Sequence, residues 1–256
     1  MNRNMPDDTA FAAEIAAFRK EAEEELRAPD GWLAVTALQW LEQGESPLPE
    51  PYAKFGAVRR TGDTVLWLPR GGAARPVRPD SEPPEDAVEI GSAKFHVLRR
   101  GARVGIRIRD SEAPARRTFR GRVWYAPDPR LRIEADFHPY PAGKTLSITD
   151  VLGDTKPVPC PGYLTFQVAG KPCRLEAWGA GGSLFFVFAD ATSGKGTYPG
   201  GRFLGAPEPV GGKVILDFNR AINPPCAFTR HATCPLPPRE NRLRVPIAAG
   251  ERHAGH

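Results

Sequence analysis

Only one stretch of this 256-residue chain keeps a helical hydrophobic period; elsewhere apolar and polar residues alternate in short runs closed by glycine or proline. Along 8–27, Phe11, Ile15, Phe18, Ala22 and Leu26 recur three or four residues apart, which predicts an amphipathic helix with one buried stripe. Asp7 or Asp8 is its expected cap, and Ala28-Pro29 ends it, because a residue before proline avoids helical backbone. The run 33–41, with Trp32 and Trp40 about it, is buried as a strand or a helical turn. Beyond it the period is two. In 103–109, Val104, Ile106 and Ile108 alternate with Arg103, Arg107 and Arg109, and 94–100 pairs with this run across Gly101-Ala102. A second hairpin joins 57–60 and 64–68 about Thr61-Gly62-Asp63, and a long surface loop is expected over 69–84. Further strands are predicted at 131–137, 146–151, 163–168, 173–178, 184–189 and 214–218. The unbroken apolar run from Leu184 to Phe188 predicts a central strand buried on both faces.

Short strands, with 28 Pro and 26 Gly between and around them, predict a mainly β fold, an antiparallel sandwich or barrel-like single domain. The expected organisation is an N-terminal amphipathic helix over 1–28 packed on a domain of 29–256. The chain is 41% hydrophobic and 25% charged, the balance of an ordinary globular protein. A net charge of +5 permits an anionic partner without demanding one, and no nucleic-acid module accompanies the arginine doublets. The N-terminal segment has no apolar signal core and no window reaches a membrane span, so a cytoplasmic location is expected. There, Cys160, Cys173, Cys226 and Cys234 would be free thiols or metal ligands; in an exported protein Cys226 and Cys234 would form the natural bridge. Nothing in the pattern sets an oligomeric state.

The segment 217–251, DFNRAINPPCAFTRHATCPLPPRENRLRVPIAAGE, has little regular period but is anchored by Phe218, Phe228, Leu236 and Leu243. A connection that long without secondary structure is uncommon unless it is functional or disordered, and its anchors argue for order. Asn219, Arg220 and Asn223 are its candidate ligand-binding side chains. Ahead of it, 190–198 contains Gly194-Lys195, but Pro199-Gly200-Gly201 follows instead of the helix that a phosphate loop opens. Asp190, Thr192, Tyr198 and Arg202 can instead converge around a ligand, or simply satisfy a turn and an ion pair. Arg107 and Arg109 would add positive charge for a carboxylate or phosphate.

For catalysis the candidates are Asp190 and Asp217 as acid–base groups, and Cys226 as a nucleophile with His231 or His138 as its base. Cys226, His231 and Cys234 also form a possible zinc set, though C-x4-H-x2-C is not a standard spacing and a fourth ligand would have to come from elsewhere. No nucleophile elbow, His-Glu-x-x-His or dinucleotide fingerprint is present, so no cofactor is predicted.

The 217–251 run resembles the C-terminal signature of DUF1684, a bacterial and archaeal family of unknown function. The likeness extends through Pro29-Asp30-Gly31-Trp32-Leu33, Trp40-Leu41-Glu42-Gln43-Gly44, GIRIRD at 105–110, Phe119-Arg120-Gly121, LFFVFADATSG and TYPGGRFL. The resemblance implies motif positions at Asp110, Asp190, Thr192, Tyr198, Arg202, Asp217, Asn219, Arg220, Asn223, Cys226, Cys234, Asn241 and Glu251, and no activity. His231 stands where relatives carry an aromatic, which weakens the zinc and Cys–His readings. The expected function is a pocket for a small polar or anionic molecule, with hydrolysis by acid–base chemistry as its catalytic form. The alternatives are a structural or interaction module and, behind it, a zinc protein.

Overall fold

The structure, a computed structural model, describes residues 8–79, 86–179 and 182–253. It is mainly antiparallel β, with one long helix, α1 (Asp8–Arg27), among the described residues. Phe11, Ile15, Ala22 and Leu26 are buried along one stripe of α1, as their spacing requires. The expected cap, Asp7 or Asp8, lies outside the described side chains. Two compact units divide the chain: 24–120 with 228–232, and 1–23 with 121–227 and 233–256.

The first unit holds β1 (Val35–Trp40), β2 (Gly44–Pro47), β3 (Gly56–Thr61), β4 (Thr64–Pro69), β5 (Arg75–Val77), β6 (Val88–Ile90), β7 (Ala93–Arg100) and β8 (Arg103–Asp110). These make two four-stranded antiparallel sheets, ordered β1-β8-β7-β6 and β2-β3-β4-β5. Val58, Val65, Trp67 and Val77 of one sheet share a core with Phe95, Val97, Ile106 and Ile108 of the other. Trp67 and Phe95 meet edge to face, ring centres 5.2 Å apart. The stretch expected as a loop, 69–84, contains β5, and residues 80–84 lie outside the described ones. Pro76 hid that strand from the pattern, yet an edge strand tolerates a proline because its missing N–H has no ladder partner to lose.

The second unit holds β9 (Arg132–Pro139), β10 (Thr145–Thr149), β11 (Thr155–Pro159), β12 (Gly162–Val168), β13 (Lys171–Glu176), β14 (Ser183–Phe188), β15 (Arg202–Pro207) and β16 (Lys213–Asp217). One sheet runs β13-β12-β9-β16, and β14-β15 and β10-β11 are separate ladders. Leu164, Phe166, Leu175 and Leu216 pack with Phe186, Phe188 and Leu204 in one sandwich-like core. Phe218 fills its middle, 5.7 Å from the Phe166 ring and 5.4 Å from Phe188. The described strands form open sheets and no closed barrel. β14 is not central to a large sheet: among the described residues it pairs along its length with β15 and is bridged on its other side at Trp178, opposite Phe185.

The 217–251 segment is ordered without forming a sheet. Leu243, Val245, Ile247 and Ala249 are buried while Arg242, Arg244, Pro246 and Ala248 are exposed. That is a strand's alternation on a strap laid across the core, with Leu243, Val245 and Ile247 each contributing roughly 1.5–3 kcal/mol and Ala249 less. Its pairing is sparse: the Leu243 N–H donates to the Ala189 carbonyl at 2.8 Å, and the Ala191 N–H to Val245 at 3.1 Å. Gly250 turns the strap at φ 75°, where an added Cβ would stand 2.6 Å from the Ala221 carbonyl oxygen and 2.7 Å from that of Phe218. Gly143 has a similar φ of 83° with nothing within 4 Å. Gly143→Ala should therefore cost about 1 kcal/mol, the backbone strain alone, and Gly250→Ala at least about twice that in urea unfolding. Equal losses would mean that the strap can back away from the 218–221 turn.

Candidate functional site

The strap is held by one buried guanidinium. Arg202, at the start of β15, is 1% exposed. It donates to the Asp190 carboxylate at 2.8 Å, to the Ile247 carbonyl at 3.0 Å, to the Glu251 carbonyl at 3.5 Å, and more closely to the Ala249 carbonyl. The second Asp190 oxygen accepts the Ile247 N–H at 3.0 Å, the Thr192 N–H at 2.8 Å and the Thr192 hydroxyl at 2.7 Å. Side chains thus supply the ladder bonds that the strap lacks. Burial draws the Arg202 guanidinium below its usual range, and the Asp190 charge opposes this. In the neighbouring turn the Thr192 carbonyl takes the amides of Lys195, Gly196 and Thr197 at 2.9, 3.0 and 3.2 Å. Those amides face inward to a carbonyl rather than outward to a phosphate.

The asparagines bond to backbone in the same way, although the buried Asn223 Oδ1 has no hydrogen-bond partner among the described residues. Asn219 is fully buried, with its Oδ1 accepting the Asp128 N–H at 2.8 Å and its Nδ2 donating to the Asp128 carbonyl and to Asp217. Asn223 donates to the Arg252 carbonyl at 3.0 Å, while its N–H goes to Glu251 at 2.8 Å; Glu251 in turn pairs with Arg122. Burial raises the Glu251 carboxyl, and Arg122 works against that. Asn241, not expected as a site residue but present in the signature, accepts the Glu176 N–H at 2.7 Å and donates to the Glu176 and Val187 carbonyls. It joins β13 to β14 where the ladder between them fails.

Arg107 and Arg109 belong to the first unit, whereas Asp190, Thr192, Tyr198, Arg202, Asn219, Arg220 and Asn223 belong to the second. The arginine face of β8 passes from exposed at Arg103 to buried at Arg107 and half-buried at Arg109. Arg107 is 1% exposed, donates to the His231 carbonyl at 3.2 Å and lies 5.1 Å from the Trp32 ring, which Arg109 also approaches. His96 accepts from Arg109 at 3.0 Å, and burial with the charges of Arg109 and Arg107 drives its imidazole down to about 3. Among the described residues no group of three or more His, Cys, Asp and Glu is placed to hold a metal, so Cys226, His231 and Cys234 are not gathered as a ligand set.

A groove of about 590 Å³ opens elsewhere in the second unit. Phe18, Phe185, Phe203, Ile215 and Ile222 give it apolar walls, and Glu14, Arg132, Asp217 and Arg220 form its charged part. Arg132 is bidentate to Glu14, both bonds 2.8 Å, and donates to Asp217 at 2.8 Å. Arg220 bonds Glu14, approaches Asp217 at 3.7 Å and keeps 36% of its side chain exposed. Of the candidate ligand-binding and catalytic residues named from sequence, Asp217 and Arg220 reach this groove. Arg132 lies on the polar face of an alternating strand, a faint signal; Glu14 and Phe18 carried none beyond the helix period.

Comparison with known proteins follows the same signature. Residues 117–252 match the model of a family described as protein of unknown function, DUF1684. The chain belongs to the DUF1684 family. An uncharacterized protein of Haloarcula marismortui, solved in solution by NMR, is similar at 32% identity over 54% of this chain and 79% of its own, with a TM-score of 0.45. No curated protein matches.

Two outcomes follow for this DUF1684 protein. Arg202→Met should cost about 3–5 kcal/mol, because it strands the Asp190 carboxylate, and adding Asp190→Leu should recover part of the loss. A single-variant loss below about 1 kcal/mol in denaturant titration would remove the lock from the account. The folded His96 imidazole, at about 3, lies below its unfolded value, so its contribution is full above the unfolded pKa and falls as pH drops toward the folded one. Between about pH 7 and 5 wild type should lose about 2 kcal/mol that His96→Gln does not. Parallel pH profiles for the two proteins would contradict this assignment.

Proposed function

We propose that this protein binds a small anionic molecule with an apolar body in the groove between the β14–β15 ladder, β16 and α1. The observation that carries the reading is the meeting of apolar walls with the half-exposed Arg220 guanidinium. Glu14, Asp217, Arg132 and Arg220 balance in charge, but not equally in commitment. Arg132 is bidentate to Glu14, whereas Arg220 makes one close bond to it and stacks 5.2 Å from Phe18, so most of its five N–H donors remain for a ligand. A carboxylate or phosphate there can take a bidentate contact while its hydrocarbon part covers Phe185, Phe203 and Ile215.

The reading is of binding rather than turnover. The oxygens of Asp190 and Asp217 already accept backbone, amide and guanidinium donors, which suits positioning more than proton transfer. A non-catalytic structural role for the 217–251 strap stands beside it, favoured by the backbone bonds of Arg202 and Asn219. Four free cysteines fit a reducing, cytoplasmic setting, and no helix among the described residues is long and apolar enough to cross a membrane.

Thermal-shift and calorimetric titration with medium-chain and aromatic carboxylates, phosphate monoesters and uncharged analogues of equal size test the site. The anions should stabilise wild type, by about 2.7 kcal/mol at a hundredfold excess over Kd. Arg220→Ala should bind them ~10-fold more weakly and lose the preference for charge, while Phe203→Ala weakens both classes. Equal binding of neutral analogues, or no shift with any compound, would count against the groove.

A further inference from the structure

We propose that Cys226 and Cys234 form a peroxide-reactive thiol pair, with Cys226 as the attacking sulfur and Cys234 as the resolving one. The two residues are in direct contact, the Cys226 N–H donating to the Cys234 sulfur at 3.2 Å. A sulfur that close to the backbone nitrogen of Cys226 lies within reach of that residue's own side chain, which is the proximity a disulfide requires. The Tyr198 hydroxyl closes the group, donating to the Cys226 carbonyl at 3.2 Å. Accessibility divides the roles: Cys226 is half-buried on a short turn (Pro225–Ala227), and Cys234 is 4% exposed.

The electrostatics agree with that geometry. The neighbouring Cys234 and then Tyr198 draw the Cys226 thiol down to about 7 against the opposing effect of burial, which favours its thiolate over that of an ordinary cysteine. The other two thiols move the opposite way. Burial and Glu176 push Cys160 up to about 11, and burial raises Cys173. A general loss of thiols to oxidant would not single out Cys226, whereas this arrangement does.

The co-reactant is hydrogen peroxide or an alkyl hydroperoxide. The Cys226 thiolate attacks one peroxide oxygen and the O–O bond breaks. Its sulfur is oxidised to a sulfenic acid, and the other oxygen leaves as hydroxide or alkoxide and takes a proton to become water or alcohol. Cys234 sulfur then attacks the Cys226 sulfur, the S–O bond breaks, and the departing hydroxide collects the Cys234 proton as water. Two thiols are oxidised to one disulfide and the peroxide is reduced. The site is independent of the groove, and failure of either assignment leaves the other standing.

The experiment treats the full-length protein with a small excess of hydrogen peroxide, blocks remaining thiols and maps peptides by mass spectrometry. Wild type should lose two hydrogen atoms and yield a Cys226–Cys234 linkage, with Cys160 and Cys173 alkylated only after denaturation. Before oxidation Cys226 should alkylate at least ~10-fold faster than Cys160. Cys234→Ser should leave a sulfenic acid at Cys226 that a dimedone-type probe captures, and Tyr198→Phe should slow the reaction and raise the pH midpoint of Cys226 alkylation. A reduced pair after peroxide, a linkage to another cysteine, or equal alkylation of Cys226 and Cys160 would overturn the proposal. The wild-type map decides even where a variant does not fold.

Discussion

The second unit depends on an ion pair that does the work of a β-ladder. A strap with Pro246 in it and a positive-φ glycine at 250 cannot hydrogen-bond along its length like a strand, yet its buried aliphatics need a fixed register. Arg202 supplies that register by gathering three carbonyls, and Asp190 takes the Ile247 amide while neutralising the guanidinium. An isolated buried charge would cost several kcal/mol; a pair whose two terminal guanidinium nitrogens also meet backbone carbonyls recovers much of that, although the buried Arg202 Nε has no partner among the described residues. Asn219 and Asn241 extend the device, each presenting its side-chain amide to both the N–H and C=O of one residue as a second peptide would.

The strands were legible wherever alternation ran for five or more residues. The 94–109 hairpin and the strands at 131–137, 163–168 and 214–218 follow from period and turn residues, because a half-buried strand leaves no other pattern. β5 and β11, which contain Pro76 and Pro157, left weaker traces. The polar signature residues were legible as a group but not in their roles. Asp190, Arg202 and Asn219 look like ligand-binding side chains because ligands and backbone present the same donors and acceptors. Only burial separates the two cases. The groove drew on residues far apart in sequence, Glu14, Arg132 and Phe203 among them, so no local window contained it.

This separates two kinds of residue within the DUF1684 signature. Asp190, Arg202, Asn219, Asn241 and Glu251 shape the backbone from inside, and substituting them is a question of stability. Arg220, Cys226 and Tyr198 keep part of their surface. The first unit makes a related use of charge, in which Arg107 and Arg109 lie against Trp32 and an imidazole kept neutral.

The strap also sets an order of events during synthesis. The carbonyls that Arg202 gathers lie 45 to 49 residues downstream of it, and the core beneath the strap includes Phe186, Phe188 and Phe218. Until the residues near 251 have left the ribosome, that core has sheets but no cover, and Arg202 has Asp190 but none of the three carbonyls it gathers. Cover that arrives so late makes burial a long-range step, slow compared with hairpin formation, and leaves aromatic surface exposed in the interval. A nascent chain stalled before residue 240 would therefore present the surface that chaperones recognise, although every strand of both units had already been made.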